Sequence, residues 1–326
     1  MAARKIIIDC DPGIDDAFAL VFAHGNADLA LCAITTVAGN VGLDAATANA
    51  LRVRDYVGMA DVPVVPGCAG PLLRPALHAR DVHGSSGLGA ARIPAASSAP
   101  ARGHATDFLA AAIAAQHGEI TLIAIGPLTN IALALRRYPA LPSQVRDFVI
   151  MGGSAGRGNT TPAAEFNIAA DPEAAAIVFG AGWTVTMVGL DVTLQARATA
   201  AVQDRMRGLG RLAGELLLPS LSGYRGTTPG SAPGARPDAA QGPPVHDVCA
   251  VASVAAPDLI TCAPARVEVE TTGRWTAGMT VTDFTAAAAD CNARVAVAID
   301  ISRFWDLVLD AYQRVAATMT AADLSR

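Results

Sequence analysis

The run Ile6-Ile7-Ile8-Asp9-Cys10-Asp11-Pro12-Gly13-Ile14-Asp15-Asp16-Ala17 sets four carboxylates within eight residues, after an apolar stretch. Like charges this close repel and raise one another's pKa values unless a cation or a hydrogen-bonded ligand intervenes. Pro12-Gly13 predicts a tight turn, which puts Asp15 and Asp16 in the first turn of a helix, where the dipole favours carboxylates. Capping accounts for one or two aspartates, not for four. Elsewhere, too, aspartate outnumbers glutamate and often stands beside glycine, proline or asparagine. That placement suits hard-cation ligation or sugar binding better than a solvated helix face.

Other polar residues are spaced where they could serve the same site. His246-Asp247 opens a helical stretch directly after a glycine- and proline-rich segment. Glu165 and Asn167 flank Phe166 ahead of another. Asn40 follows Gly39, and Asn159 closes Gly156-Arg157-Gly158; from local sequence, both read equally as turn asparagines. Asp171 is most simply an N-cap, with Pro172 at the first helical position and Glu173 in the first turn.

The elements that must position these residues alternate in type. Strands are predicted at Lys5–Ile8, Leu29–Val37, Val62–Val65, Ile120–Ile125, Phe148–Met151, Thr184–Leu190, Arg266–Glu270 and Arg294–Ile299. Helices are predicted at Asp15–Ala23, Leu43–Val57, Thr106–Gln116, Leu128–Arg137, Pro172–Phe179, Ala200–Leu209, Asp247–Ala255 and Arg303–Ala316. The pattern is that of one α/β domain over 1–326, an open, mostly parallel sheet flanked by helices. In such sheets ligands bind beyond the carboxyl ends of the strands, and the polar candidates lie at predicted strand ends. Two irregular segments, about 71–98 and 223–244, read as mobile loops. The second is either a linker or a flap over a site, and His246 directly after it favours the flap.

Composition removes several function classes. The hydrophobic fraction is 52% and mean hydropathy is +0.36, but alanine and valine dominate it. No run of about 18 uninterrupted apolar residues is present, and the N-terminus lacks a signal-peptide pattern; the chain reads as soluble and cytoplasmic. Net charge is −5 without a basic run, so a nucleic-acid polymer is not an expected partner. Six scattered cysteines without a CxxC pair read as reduced thiols, not as a zinc site.

The N-terminal aspartate run resembles the signature of the inosine–uridine preferring nucleoside hydrolases. Further landmarks follow in that family's order: Val37-Ala38-Gly39-Asn40-Val41, His83-Gly84, Gly126-Pro127-Leu128-Thr129-Asn130, Met151-Gly152-Gly153, Glu165-Phe166-Asn167, Asp171-Pro172-Glu173-Ala174 and His246-Asp247. The resemblance spans residue 6 to about 250. It implies hydrolysis of the N-glycosidic bond of ribonucleosides, in salvage or catabolism, by a homodimer or homotetramer. It also implies one Ca²⁺, with Mg²⁺ or Mn²⁺ less favoured, held by Asp11, Asp16, the Ile125 carbonyl and Asp247, all oxygen donors as a hard cation requires. Asp11 would be the base for the attacking water, with Asp9 behind it.

By the same resemblance, Asp15 and Asn40 would hold the 2′ and 3′ hydroxyls, Asn159, Glu165 and Asn167 the 5′ side, and Met151 the floor under the sugar. Breaking the bond builds positive charge on the sugar and negative charge on the base, so the base needs an acid. His246 fits that role, its ordinary pKa of about 6.5 lying near working pH. His83 and Tyr224 would face the base. The chain departs from the family pattern in carrying Ser85 where glutamate is usual. It also lacks a second tyrosine after Tyr224, with Arg225-Gly226-Thr227-Thr228-Pro229 in its place, and both departures bear on base preference. Two other readings compete. A haloacid-dehalogenase-like phosphatase shares an apolar strand and DxD but needs a phosphate-binding lysine, and the chain's one lysine, Lys5, precedes the motif. A catalytically degenerate ribose- or nucleoside-binding protein would have no need of Asp11, Asp16 and Asp247 together.

Overall fold

The computed structural model describes residues 2–225 and 241–324. The β-branched and aliphatic runs form strands β1 (Arg4–Cys10), β2 (Leu29–Thr36), β3 (Val64–Pro66), β4 (Thr121–Ala124), β5 (Asp147–Met151), β6 (Val185–Val188), β7 (Ile260–Val269), β8 (Thr280–Asp283) and β9 (Ala293–Ile299). They join in one sheet of order β3-β2-β1-β4-β5-β6-β9-β7-β8. From β3 to β9 all neighbours are parallel, whereas β7 runs antiparallel to both β9 and β8. The expected α/β fold with a mostly parallel sheet is therefore present.

Alternation along the strands divides the core. Ile6 and Ile8 of β1, with Ile123 of β4, pack on one face against helices Ile14–Gly25, His246–Ala255 and Ile301–Leu324. Ile7, Leu122 and Ala124 point to the other face, covered by Ala105–Ala115, Thr129–Arg137 and Pro172–Phe179. Period-2 burial on both faces is why these strands read as unbroken apolar runs. The last helix is tied to the first: the Tyr312 hydroxyl donates to the Phe18 carbonyl at 3.2 Å, and the two rings meet edge to face.

From β1 the chain moves outward to β2 and β3 on one side, then returns to β4 on the other. That reversal opens a crevice at the carboxyl ends of β1 and β4, the usual place for a ligand in such a sheet.

Several elements differ from expectation, among them a helical stretch from Leu212 to Gly223 that was not expected. The strand expected over Thr184–Leu190 stops at Val188, because Gly189 caps a single helical turn, Leu190–Thr193. β7 begins six residues before the predicted Arg266, and Pro264 masks that first half in sequence. β8 was not expected; it is a four-residue, partly exposed edge strand without a strong apolar pattern. The segment from 71 to 98 holds only the helical turn Arg80–His83, but it is tethered. The Leu72 amide donates to Asp171 Oδ2 at 2.9 Å, Arg74 pairs with both oxygens of Glu173, and Ala79 N donates to the Asn40 carbonyl at 3.1 Å. Of the segment 223–244, residues 226–240 lie outside the described residues. No described helix is long and apolar enough to cross a membrane, and the six cysteines are unpaired.

Candidate active site

β1 delivers Asp11 at its carboxyl end, and the Pro12-Gly13 turn leads into helix Ile14–Gly25 with Asp15 and Asp16 in its first turn. Asp16 folds back over that turn: its Oδ1 accepts from Asp11 N at 3.1 Å and its Oδ2 from Gly13 N at 2.8 Å. The Asp11 side chain is gripped differently. Its Oδ2 accepts from Asn40 N at 2.6 Å, while its Oδ1 is buried with no hydrogen-bond partner among the described residues. Two glycines make room for it. A Cβ on Gly39 would fall 2.0 Å from Asp11 Oδ2, and one on Gly126 would fall 2.6 Å from Asp11 Oδ1. Asp9 lies beneath, its Oδ1 receiving the Thr35 hydroxyl and the Asn130 amide, and burial pushes its pKa up to about 7.

Beside Asp11, carboxylate oxygens of Asp15, Asp16 and Asp247 all lie within 4.8 Å of one another, and all three residues are buried. Asp247 comes from the far end of the chain, in the first turn of helix His246–Ala255. Burial and then mutual repulsion push the acids toward protonation. Asp11 rises well above the usual carboxylate range through burial and then the Asp16 charge, and Asp247 does so through burial and the charges of Asp15, Asp16 and Asp11. Asp16 is pushed up to about 7 by burial and Asp15. Burial also raises Asp15, with His246 opposing the rise. A bare cluster of this kind cannot stay fully ionised, whereas a divalent cation would satisfy it. The donor set fits one. It consists of hard carboxylate oxygens, an orphaned Asp11 Oδ1 and the nearby Ile125 carbonyl.

Above this cluster opens a cleft of about 280 Å³, the scale of a small-molecule site. Its wall includes Asp15, Asn40, His83, Ile125, Met151, Asn159, Glu165, Asn167, Tyr224, His246 and Asp247, and Asp11 and Asp16 lie behind it. Every site residue expected from sequence is thus in or directly under one cleft. The supporting contacts are specific. Asn167 Nδ2 donates to the carbonyls of Ile125 and Met151, both at 3.0 Å, joining the ends of β4 and β5. Glu165 caps its helix: its Oε2 accepts from Gly153 N at 2.9 Å and Ile168 N at 3.2 Å, and burial lifts its pKa to about 7. Asn159 Oδ1 accepts from Phe166 N at 3.0 Å. Asn40 is more than a turn residue, since its Nδ2 reaches Asp16 Oδ2 at 3.2 Å.

His83 Nδ1 accepts from Ile14 N at 3.1 Å, so Nδ1 carries no proton, and burial lowers the ring's pKa to about 4. The Tyr224 ring stands edge-on to His83, with centroids 6.2 Å apart. His246 Nδ1 lies 2.8 Å from the Thr193 hydroxyl; burial lowers its pKa, and the nearby Asp15 charge works against that. Asp171 is the expected N-cap, accepting from Ala174 N at 3.1 Å.

Some residues escaped the sequence reading. His78 and Asp81 also line the cleft. Thr193 supports His246 from the helical turn Leu190–Thr193, whose first residue alone had been expected to end a strand. Gly39 and Gly126 stood inside quoted motifs, but which carboxylate they accommodate depends on strands distant in sequence.

A family model described as inosine-uridine preferring nucleoside hydrolase matches residues 6–306. The chain is 44% identical over 321 residues to the inosine-uridine preferring nucleoside hydrolase of Leishmania major, covering 96% of this chain and 98% of that protein. It is 44% identical over 300 residues to a non-specific ribonucleoside hydrolase of Klebsiella pneumoniae, covering 92% and 95% respectively. Among solved structures, the purine-preferring ribonucleoside hydrolase from Gardnerella vaginalis superposes with a TM-score of 0.87 at 30% identity, covering 97% of this chain and 100% of that one.

Proposed function

Because the chain belongs to the inosine-uridine preferring nucleoside hydrolase family, it hydrolyses ribonucleosides to ribose and free base, and we propose how its residues divide that work. The observation that carries the assignment is the buried group of Asp15, Asp16 and Asp247 beside the orphaned Asp11 Oδ1, at the floor of the cleft. Asp11, Asp16, Asp247 and the Ile125 carbonyl would hold a divalent cation, for which Ca²⁺ is the natural choice in a site built of protein oxygens. When bound, that cation supplies positive charge that stabilises the buried carboxylates and lowers the pKa of a coordinated water.

Asp11 accepts the proton of the attacking water at Oδ1, the oxygen that no donor among the described residues engages. Asp15 and Asn40 orient the 2′ and 3′ hydroxyls, Asn159, Glu165 and Asn167 the 5′ side, and Met151 supports the sugar. As the C–N bond breaks, His246 passes a proton to the leaving base from Nε2, its Nδ1 being oriented by Thr193. Burial that lowers the ring's pKa makes its protonated form a stronger acid, which suits a brief donation to a developing anion. His83 and Tyr224 pack beside the base. The relatives named above differ among themselves in base preference, and the exposed Ser85 and the residues after Tyr224 are where this chain sets its own. The protein works in the cytoplasm, in nucleoside salvage, as a homodimer or homotetramer.

The test is release of ribose from inosine, uridine, cytidine, adenosine and guanosine, with and without a chelator, alongside Asp11→Ala. Release that the chelator suppresses and Asp11→Ala abolishes is the expected result. Undiminished release in chelator or in Asp11→Ala would overturn the assignment. Nucleoside binding without release would favour a degenerate binder.

A further inference from the structure

The grip on Asp11 does not end at Asn40. The Asn40 amide that donates to Asp11 Oδ2 at 2.6 Å belongs to the Gly39–Asn40 peptide, and the carbonyl of that same peptide lies 2.7 Å from Nδ1 of His78. A carbonyl only accepts, so His78 Nδ1 must carry the proton. The next residue grips the following peptide, Ala79 N donating to the Asn40 carbonyl at 3.1 Å. The peptide and the carboxylate are in close contact, since a Cβ on Gly39 would overlap the Asp11 carboxylate. His78 itself sits on the tethered segment, between the anchors of Leu72 and Arg74 on one side and the turn carrying His83 on the other.

We propose that His78 is a positioning residue for the hydrolytic reaction, acting on Asp11 through the Gly39–Asn40 peptide. Donation to the carbonyl polarises the peptide, and a polarised peptide makes its N–H a better donor to Asp11 Oδ2. The bond also fixes the plane of the peptide and therefore the direction of that N–H. One carboxylate oxygen is immobilised in this way, and the other, Oδ1, is aimed where a proton is to be accepted. His78 also lines the cleft. Partners that orient a reacting carboxylate from behind typically matter by about 10- to 100-fold.

This inference rests on the assignment of Asp11 as the base, and a double-mutant cycle separates the two. The variants are His78→Ala, Asp11→Asn and their combination, with His78→Gln as the variant that retains a donor. The assay is ribose release under saturating and limiting nucleoside, with folding checked by circular dichroism. His78→Ala is expected to lower kcat about 10- to 100-fold, with KM changed by a few-fold at most, and His78→Gln is expected to recover part of the loss. In the Asp11→Asn background, removing His78 should cost nothing further. If Asp11→Asn alone leaves kcat intact, the assignment of the base fails. If Asp11→Asn is slow but His78→Ala is neutral, acts on KM alone, or multiplies fully with Asp11→Asn, the positioning role fails and the assignment of the base stands.

Discussion

Alanine at position 39 should separate the chemistry from the fold. Gly39 has no positive φ, so its backbone accepts an alanine without strain. What it lacks is space. The added Cβ would lie 2.0 Å from Asp11 Oδ2, 2.7 Å from Asp11 Cγ and 2.8 Å from Pro127 Cδ. Restoring ordinary contact requires the carboxylate and peptide to separate by about 1.4 Å. The carboxylate cannot move that far while keeping its 2.6 Å bond to Asn40 N. A displacement of about 1 Å in a reacting group is enough to lose about 100-fold in rate, so kcat for ribose release should fall by about that factor. Overpacking should cost about 1–3 kcal/mol of stability, leaving a folded protein whose unfolding midpoint drops by a few degrees. Gly42→Ala is the control, since a Cβ there meets nothing within 4 Å and φ is −64°. It should be active and nearly as stable as the parent. Wild-type kcat in Gly39→Ala would refute the reasoning, because the Asp11 carboxylate would then not be held where the Gly39–Asn40 peptide puts it.

Two further outcomes follow from two other buried polar groups, Asp171 and His83. Asp171, fully buried, accepts from Leu72 N, Thr129 Oγ1 and Ala174 N. Each donor stranded by Asp171→Ala costs about 1–3 kcal/mol, so urea unfolding should shift by at least about 3 kcal/mol with an unchanged m-value; a smaller loss would mean that water replaces the carboxylate. His83 is kept neutral because burial lowers its pKa from 6.5 to about 4. The unfolded chain takes up that proton first as pH falls, so the contribution is fully present above pH 6.5 and is lost as pH falls through about 4. The interval corresponds to about 3 kcal/mol, and His83→Asn should abolish this part of the pH dependence. An imidazole resonance of His83 titrating near its ordinary value would contradict the burial argument.

The residues of this site were legible in sequence because the chemistry concentrates them. Four acids within eight residues, an apolar run before them and His246-Asp247 after a glycine- and proline-rich segment are local patterns with few structural explanations. The parallel sheet was legible for a related reason: strands buried on both faces carry unbroken apolar runs, as β1 does at Ile6-Ile7-Ile8, β4 at Leu122-Ile123-Ala124 and β5 at Phe148-Val149-Ile150-Met151. β8 was not, because a short edge strand exposed to water carries no such constraint.

Tertiary structure alone decided which acids lie together. Sequence put Asp11, Asp15 and Asp16 side by side, yet only the return of the chain at residue 247 completes an oxygen cluster, which joins Asp15, Asp16 and Asp247. Only the pairing of β1 with β2 and β4 brings Gly39 and Gly126 against the Asp11 carboxylate. The role of His78 is the clearest case. Nothing in Leu77-His78-Ala79 marks it, since its partner is a backbone carbonyl 39 residues away, and a backbone carbonyl looks the same in every sequence.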